Sequence, residues 1–141
     1  DPEEEHDCFS DNTHNSHYYN VVGINNVFLG KYKSLDGKVV TGPSISSLLS
    51  EVDYGLNKKT KKSIKNTLKS MKKIVKSANK GVTYDMLIAE GNEKGNKLIQ
   101  NAVDSLIKQS KNIELAAAAL NINDLQIEGS DSLDNPDAVF N

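Results

Sequence analysis

The sequence predicts an all-α fold, a bundle of three long helices joined by short ones. Apolar residues recur at intervals of three and four along three long segments, which is the period of a helix with one buried face. No stretch of useful length alternates between apolar and polar residues, as a half-buried strand does. The 141 residues are enough for one domain and too few for two ordinary ones. We therefore expect a single helical bundle over residues 1–120.

The first predicted helix covers residues 11–33, where His14, Tyr18 and Phe28 fall on one face. The sequence LDGKVVTGP follows and is typical of a loop. Ser44 then caps a short helix of sequence SISSLLSEV.

A lysine-rich helix is predicted over residues 56–79, after a turn around Gly55. Its apolar stripe consists of Ile64, Leu68, Met71, Val75 and Ala78. A second stripe, at the same spacing, consists of Lys58, Lys62, Lys65, Lys69, Lys72 and Lys76. A basic stripe of this kind suits an anionic membrane or nucleic acid, but a solvated helix face is the favoured interpretation because the apolar stripe lacks bulky aromatic residues.

Gly81 ends that helix, and TYDMLIAE is predicted as a short helix or turn. The last long helix is predicted over residues 93–120, with six apolar residues inward: Leu98, Ala102, Leu106, Ile113, Ala117 and Leu120. Residues 121–141 are acidic and contain Gly129 and Pro136, so we expect them to form an extended tail packed on the bundle.

Composition excludes several classes of function. All 17 basic residues are lysines and the net charge is -2, so we expect no nucleic-acid partner, because arginine is the preferred residue for bidentate recognition. A single cysteine cannot form an internal disulfide. The apolar stretches are too short to span a membrane. Membrane association is expected to be possible through an N-terminal anchor outside this sequence.

The segment HDCFSDNTHNSH, residues 6–17, contains all three histidines and the one cysteine. On the predicted helix, Asp11 and His14 share an inward face, and His14 and His17 are spaced three apart, which allows two ligands to reach one ion. His6 can complete a set of nitrogen and oxygen ligands suited to iron, manganese or zinc.

A structural interpretation of the same residues stays open and is the favoured one from spacing alone. In it, Asp11 is only a cap, His14 is a buried histidine bonded to a tyrosine, His17 is a surface residue and Cys8 fills a small space in the core. The spacing does not match the His-Glu-x-x-His motif of zinc peptidases.

Residues 1–32, DPEEEHDCFSDNTHNSHYYNVVGINNVFLGKY, closely resemble the second conserved block of imelysin-like proteins. That family also includes the insulin-cleaving membrane protease group (peptidase family M75), iron-regulated protein A and the iron-uptake protein EfeO. The stretch NINDLQIEGSDSLDNPDAV is similar to the C-terminal end of the family. The resemblance therefore involves both ends of the chain and is specific at the N-terminal end.

The resemblance implies that this chain is the second half of a two-bundle fold. Family members carry a Gly-x-His-x-x-Glu motif in the first half, and this sequence contains no His-x-x-Glu. The polar positions that match the family's conserved block are His6, Cys8, Ser10, Asp11, Asn12 and His14, with Glu4 and Glu5 flanking them. Of these we expect His6, Asp11 and His14 to bind a metal ion, with His17 a weaker candidate.

The resemblance also implies a function. The leading hypothesis is a binding module of the cell envelope, in the periplasm or at the outer membrane, that binds, takes up or handles iron. Its expected partner is the N-terminal half, in the same protein or as a second chain. The alternatives are part of a metallopeptidase of the M75 type and a structural helical bundle without metal. Peptidase activity needs a base and a ligand that the resemblance assigns to the first half.

Overall fold

The computed structural model describes residues 4–122, and within them it confirms the all-α prediction apart from one small hairpin. In chain order the elements are a 3₁₀ turn (Cys8–Ser10), α1 (Thr13–Leu29), β1 (Lys31–Lys33), β2 (Val39–Thr41), α2 (Ile45–Val52), α3 (Tyr54–Ala78), α4 (Tyr84–Ile88) and α5 (Glu93–Ala119). The expected acidic tail lies outside the described residues from residue 123 onward.

Helix α3 is the centre of the bundle, because α1, α2 and α5 all pack against it. Side chains of α3 bond to the backbone of α5 at two levels: Thr60 Oγ1 donates to the carbonyl of Asn112 (3.5 Å), and Thr67 Oγ1 donates to that of Ser105 (3.1 Å). The residue numbers rise along one helix as they fall along the other. Helices α3 and α5 are therefore antiparallel.

Apolar side chains pack into two clusters, one at each end of α3. The cluster near the end of α3 consists of Val21, Met71, Ile74, Leu87 and Ala102. The cluster nearer its start consists of Phe28, Leu49, Ile64 and Ala116. Leu49 and Ile64 are fully buried, and removing each such side chain from water contributes about 1.5–3 kcal/mol.

Helix α1 is shorter than the predicted 11–33. It ends at Leu29 because Gly30 adopts the left-handed conformation (φ 58°) and donates its N–H to the carbonyls of Asn26 and Val27. A Cβ at Gly30 would lie 2.6 Å from the carbonyl oxygen of Pro43. The helix stops where the returning chain touches its last turn.

A two-stranded antiparallel hairpin follows, where a continued helix and then a loop were expected. Strand β1 pairs with β2, with Tyr32 opposite Val40. Each strand has only three residues and all of them are exposed, which is too short for alternation to be recognised in the sequence.

The interface between α3 and α5 is more polar than the sequence pattern predicts. Its buried residues include Thr60, Ser63 and Thr67 on α3 and Gln109 and Asn112 on α5. The predicted inward residues Leu98 and Leu106 are only partly buried. Within residues 4–122, no helix combines the length and the apolar character needed to cross a lipid bilayer.

Candidate metal site

The segment before α1 is held against the first turn of that helix by Asp7. The Asp7 N–H donates to Oγ1 of Thr13 (2.9 Å), which is fully buried, and Ser16 Oγ donates to the Asp7 carboxylate. Because the backbone and the side chain of Asp7 are both hydrogen-bonded, this residue holds the N-terminal segment close to the start of α1.

Helix α4 brings a second group of side chains to the same place. Thr83 precedes this helix, and its hydroxyl donates to the carboxylate of Asp85 in the first helical turn. Leu87, on the same short helix, is buried in the core cluster with Val21 and Met71. The position of Asp85 is therefore set both by a hydrogen bond and by the anchoring of α4 in the core.

Three carboxylates meet between these elements. One oxygen from each of Glu5, Asp11 and Asp85 lies within 4.8 Å of the others. Glu5 and Asp85 are half-buried, while Asp11 is exposed. Like charges at 4 Å repel by about 1 kcal/mol in water and about 4 kcal/mol near a protein surface, so a bound cation would convert this repulsion into attraction.

Glu5 supplies the clearest indication that a ligand fits here. Its Oε2 atom is buried and accepts no hydrogen bond from the described residues. A buried carboxylate oxygen without a partner is costly, and such atoms are usually paired with a donor, water or an ion. Three carboxylate oxygens are the donor set preferred by hard cations, so these residues fit a metal ion.

Three rings in contact with one another lie beside the carboxylates. The His17 ring is 5.7 Å from that of His6 and 5.5 Å from that of Tyr84, measured between centroids. Burial lowers the pKa of His17, the nearby charge of His6 lowers it further, and Asp7 partly opposes these effects. Burial raises the pKa of Tyr84, and the negative charge of Glu5 adds to this. Both shifts favour the neutral form of the ring.

Asp11 does not have the predicted helical position. It precedes α1 in the left-handed conformation (φ 51°), where its N–H donates to the carbonyl of Cys8 (3.3 Å). The helix begins at Thr13, so Asp11 and His14 share no helical face. The reason is the 3₁₀ turn Cys8–Ser10, which ends at Asp11 and redirects the chain.

His14 is half-buried in the first turn of α1. Its Nε2 accepts from the side-chain amide of Asn15 (3.3 Å), while its Nδ1 is buried without a partner among the described residues. It is not bonded to a tyrosine, as the structural interpretation supposed. His14 does not belong to the group formed by Glu5, Asp11 and Asp85.

His6 is exposed and packs on His17, the histidine that the sequence ranks as the weaker candidate. It borders a shallow depression of about 420 Å³ together with Asn12, Asn15, Ser16, Tyr19 and Asn20. Cys8 is exposed as well, so it fills no core space. The three residues predicted as ligands are therefore close along the chain, but only Asp11 lies in the carboxylate cluster.

Two members of the cluster were not among the predicted ligands. Glu5 lies in the matched block, where the sequence places it only beside the expected ligands. Asp85 lies far along the chain in a segment with no motif of its own, and α4 comes to the site through its contacts with α1, between Tyr84 and His17 and between Leu87 and Val21. A search for local spacing alone misses a ligand of this kind.

The fold and the site together define a helical bundle with a carboxylate cluster that fits a cation. The family profile of imelysin, peptidase M75, matches residues 1–113 of this chain. The chain therefore belongs to the imelysin family. A comparison with curated proteins found no match to this chain.

Proposed function

We propose that this chain is the C-terminal half of an imelysin-like protein of the cell envelope that binds iron for uptake or handling. Membership of the imelysin family, a metal-associated family, supports the proposal. The single observation that carries it is the buried Oε2 of Glu5, which has no partner among the described residues and belongs to a carboxylate whose neighbours are Asp11 and Asp85.

The three carboxylates would act as the oxygen ligands of the ion. The bonds of Asp7 to Thr13 and Ser16 hold the backbone near Glu5 against α1, and the bond from Thr83 holds the carboxylate of Asp85. Asp11 is exposed, so it lies on the solvent side of the site, from which an ion would enter. His6 and His14 are candidates for nitrogen ligands after a change of side-chain rotamer.

An N-terminal half would complete the site in this proposal. Three carboxylates leave coordination positions open, because hard cations take six or more oxygen ligands. The family's His-x-x-Glu motif, expected in the first half, would supply further ligands. Placement in the periplasm or at the outer membrane belongs to the same proposal and is tested by cell fractionation of the native protein.

Calorimetric titration with Fe²⁺ under anaerobic conditions tests the proposal. We expect binding by the unaltered chain and a large loss of affinity in Glu5→Gln, which keeps the size of the side chain and removes its charge. Glu90→Gln is the matched control, because Glu90 is exposed just after α4. Equal affinities of the Glu5 and Glu90 variants, or no binding at all by the unaltered chain, would contradict the proposal.

The metallopeptidase hypothesis predicts a different result from the same protein joined to its first half. A hydrolytic site needs a metal with an open position for water and a general base. Peptide hydrolysis that depends on both halves would favour that hypothesis over simple iron binding. If neither this chain alone nor this chain joined to its first half binds a metal ion, the structural alternative is favoured.

A further inference from the structure

Helix α3 carries an unusual concentration of positive charge. It contains nine lysines and no acidic residue between Tyr54 and Ala78. All nine are exposed, on the side of the helix that faces away from Ile64 and Met71 in the core. Among residues 4–122 the one ion pair joins Lys38 to Asp36 in the hairpin (3.1 Å), so no lysine of α3 has a carboxylate partner there.

The lysine surface continues into a groove between α3 and α5. This groove, of about 520 Å³, has Lys69 and Lys73 on one side and Lys108 on the other. Ser70 and Ser105 lie between them and are bonded to each other (3.2 Å). One carboxylate, Asp104, also borders the groove and accepts a hydrogen bond from Gln100 (2.9 Å).

The sequence contains a segment of complementary charge. Residues 123–141 contain five acidic residues and no lysine: Asp124, Glu128, Asp131, Asp134 and Asp137. This segment follows the end of α5, where Leu120 packs against the same core cluster as Leu56 in the first turn of α3. The acidic segment is therefore joined to the chain near the beginning of the lysine surface.

The segment is long enough to extend along the whole lysine surface. The 19 residues from 123 to 141 can reach roughly 60 Å at about 3.3 Å per residue, while the 25 residues of α3 span about 37 Å. Because the segment is tethered, its effective concentration at the helix is that of an intramolecular ligand. The positive potential of such a surface favours an anionic segment that is held close to it.

We propose that residues 123–141 dock along the lysine-bearing face of α3 and the adjoining groove, as an intramolecular acidic ligand. The docked segment neutralises the face and shields it from other polyanions. This proposal is independent of metal binding at Glu5. Paramagnetic relaxation enhancement in the full chain tests the proposal. A nitroxide is attached to the thiol introduced by Ala138→Cys. The exposed native thiol is removed by Cys8→Ser, so that only one position carries the label.

We expect amide signals of residues 58–76 to be attenuated more strongly than those of α1. The attenuation should be lost in about 1 M salt, where the screening length falls to about 3 Å. It should also be lost when the five acidic residues are replaced by their amides, and in the triple variant Lys65→Gln, Lys69→Gln, Lys72→Gln. The matched triple variant Lys31→Gln, Lys33→Gln, Lys38→Gln, in the hairpin, should retain it.

Attenuation that is spread evenly over the chain, or that is unchanged by salt and by the α3 variants, would overturn the proposal. A second sample mixes ¹⁵N-labelled chain that carries no nitroxide with unlabelled chain that carries one. Attenuation in this sample can arise only between two chains, so it distinguishes docking within a chain from docking on a second copy. Attenuation in this mixture equal to that in the doubly labelled chain would show pairing between copies and would also overturn it.

Discussion

The imidazole ring of His17 packs against the phenol ring of Tyr84, with 5.5 Å between the ring centroids. This contact joins the first turns of α1 to α4, which are distant in sequence. It lies next to Glu5, whose charge raises the pKa of Tyr84 in addition to the effect of burial. The carboxylate cluster and the three rings therefore lie together where the N-terminal segment, α1 and α4 meet.

The low pKa of His17 predicts that stability depends on pH. Burial, followed by the charge of His6, lowers this pKa below its usual value of about 6.5, so the unfolded chain binds the proton more readily than the folded chain. The stabilising contribution is therefore complete above about pH 6.5 and is lost as the pH falls towards the folded-state pKa. Urea unfolding at pH 7.5 and pH 5.5 should show a smaller loss of stability in His17→Gln than in the unaltered chain. An identical loss in both would contradict the assignment.

Gly30 and Gly23 should respond in opposite ways to alanine. Gly30→Ala places a Cβ 2.6 Å from the Pro43 carbonyl oxygen at a φ of 58°, so we expect destabilisation of about 1–3 kcal/mol. Gly23 lies within α1 with no atom within 4 Å of the added Cβ, so Gly23→Ala should stabilise by about 0.5–1 kcal/mol. Thermal unfolding of both variants measures the difference, and equal shifts would refute this account of how α1 ends.

Replacing Gln109 by an apolar residue should stabilise the α3–α5 interface. It is 2% exposed, and its Oε1 has no partner among the described residues. Gln109→Met keeps the length of the side chain and removes the buried polar group, so we expect stabilisation of about 1 kcal/mol. The exposed Gln100→Met serves as the control and should change stability by less than about 0.5 kcal/mol. Destabilisation of the Gln109 variant would mean that its amide has a partner after all.

Asp11 allows the metal site to be tested without disturbing the backbone. Asparagine adopts the left-handed conformation readily, so Asp11→Asn should keep the metal-free stability or raise it slightly by removing repulsion from Glu5 and Asp85. A ligand at 100 times its dissociation constant stabilises a protein by about 2.7 kcal/mol. The rise in melting temperature with Fe²⁺ should therefore be large in the unaltered chain and small in Asp11→Asn. An undiminished rise would exclude Asp11 as a ligand.

The His14 and His17 variants distinguish the sequence-based site from the carboxylate site. If His14 ligates the ion, His14→Ala weakens Fe²⁺ binding while His17→Ala changes it less, and binding weakens as the pH falls through the histidine range because imidazole must be neutral to ligate. If His14 only packs, His14→Ala costs about 1–3 kcal/mol of stability and leaves binding unchanged. Calorimetric titration and urea unfolding of the two variants distinguish these results.

The sequence by itself determined the helical architecture. Periodicity over long segments depends only on which residues must leave water, so it placed α3 and α5 within about two residues of their observed ends. It also indicated the imelysin family from residues 1–32, which the family match to residues 1–113 confirms. Helical periodicity and the family block both depend on residues that are close together in the sequence, so the sequence alone is sufficient to predict them.

Only the tertiary structure decided where α1 ends and which side chains meet. Gly30 ends the helix because the backbone of Gly42 and Pro43 returns to touch it, and Asp11 leaves the helix because a 3₁₀ turn precedes it. Asp85 joins Glu5 because Leu87 anchors α4 in the core. Contacts between distant segments depend on the packing of the whole bundle, and local spacing carries no information about them.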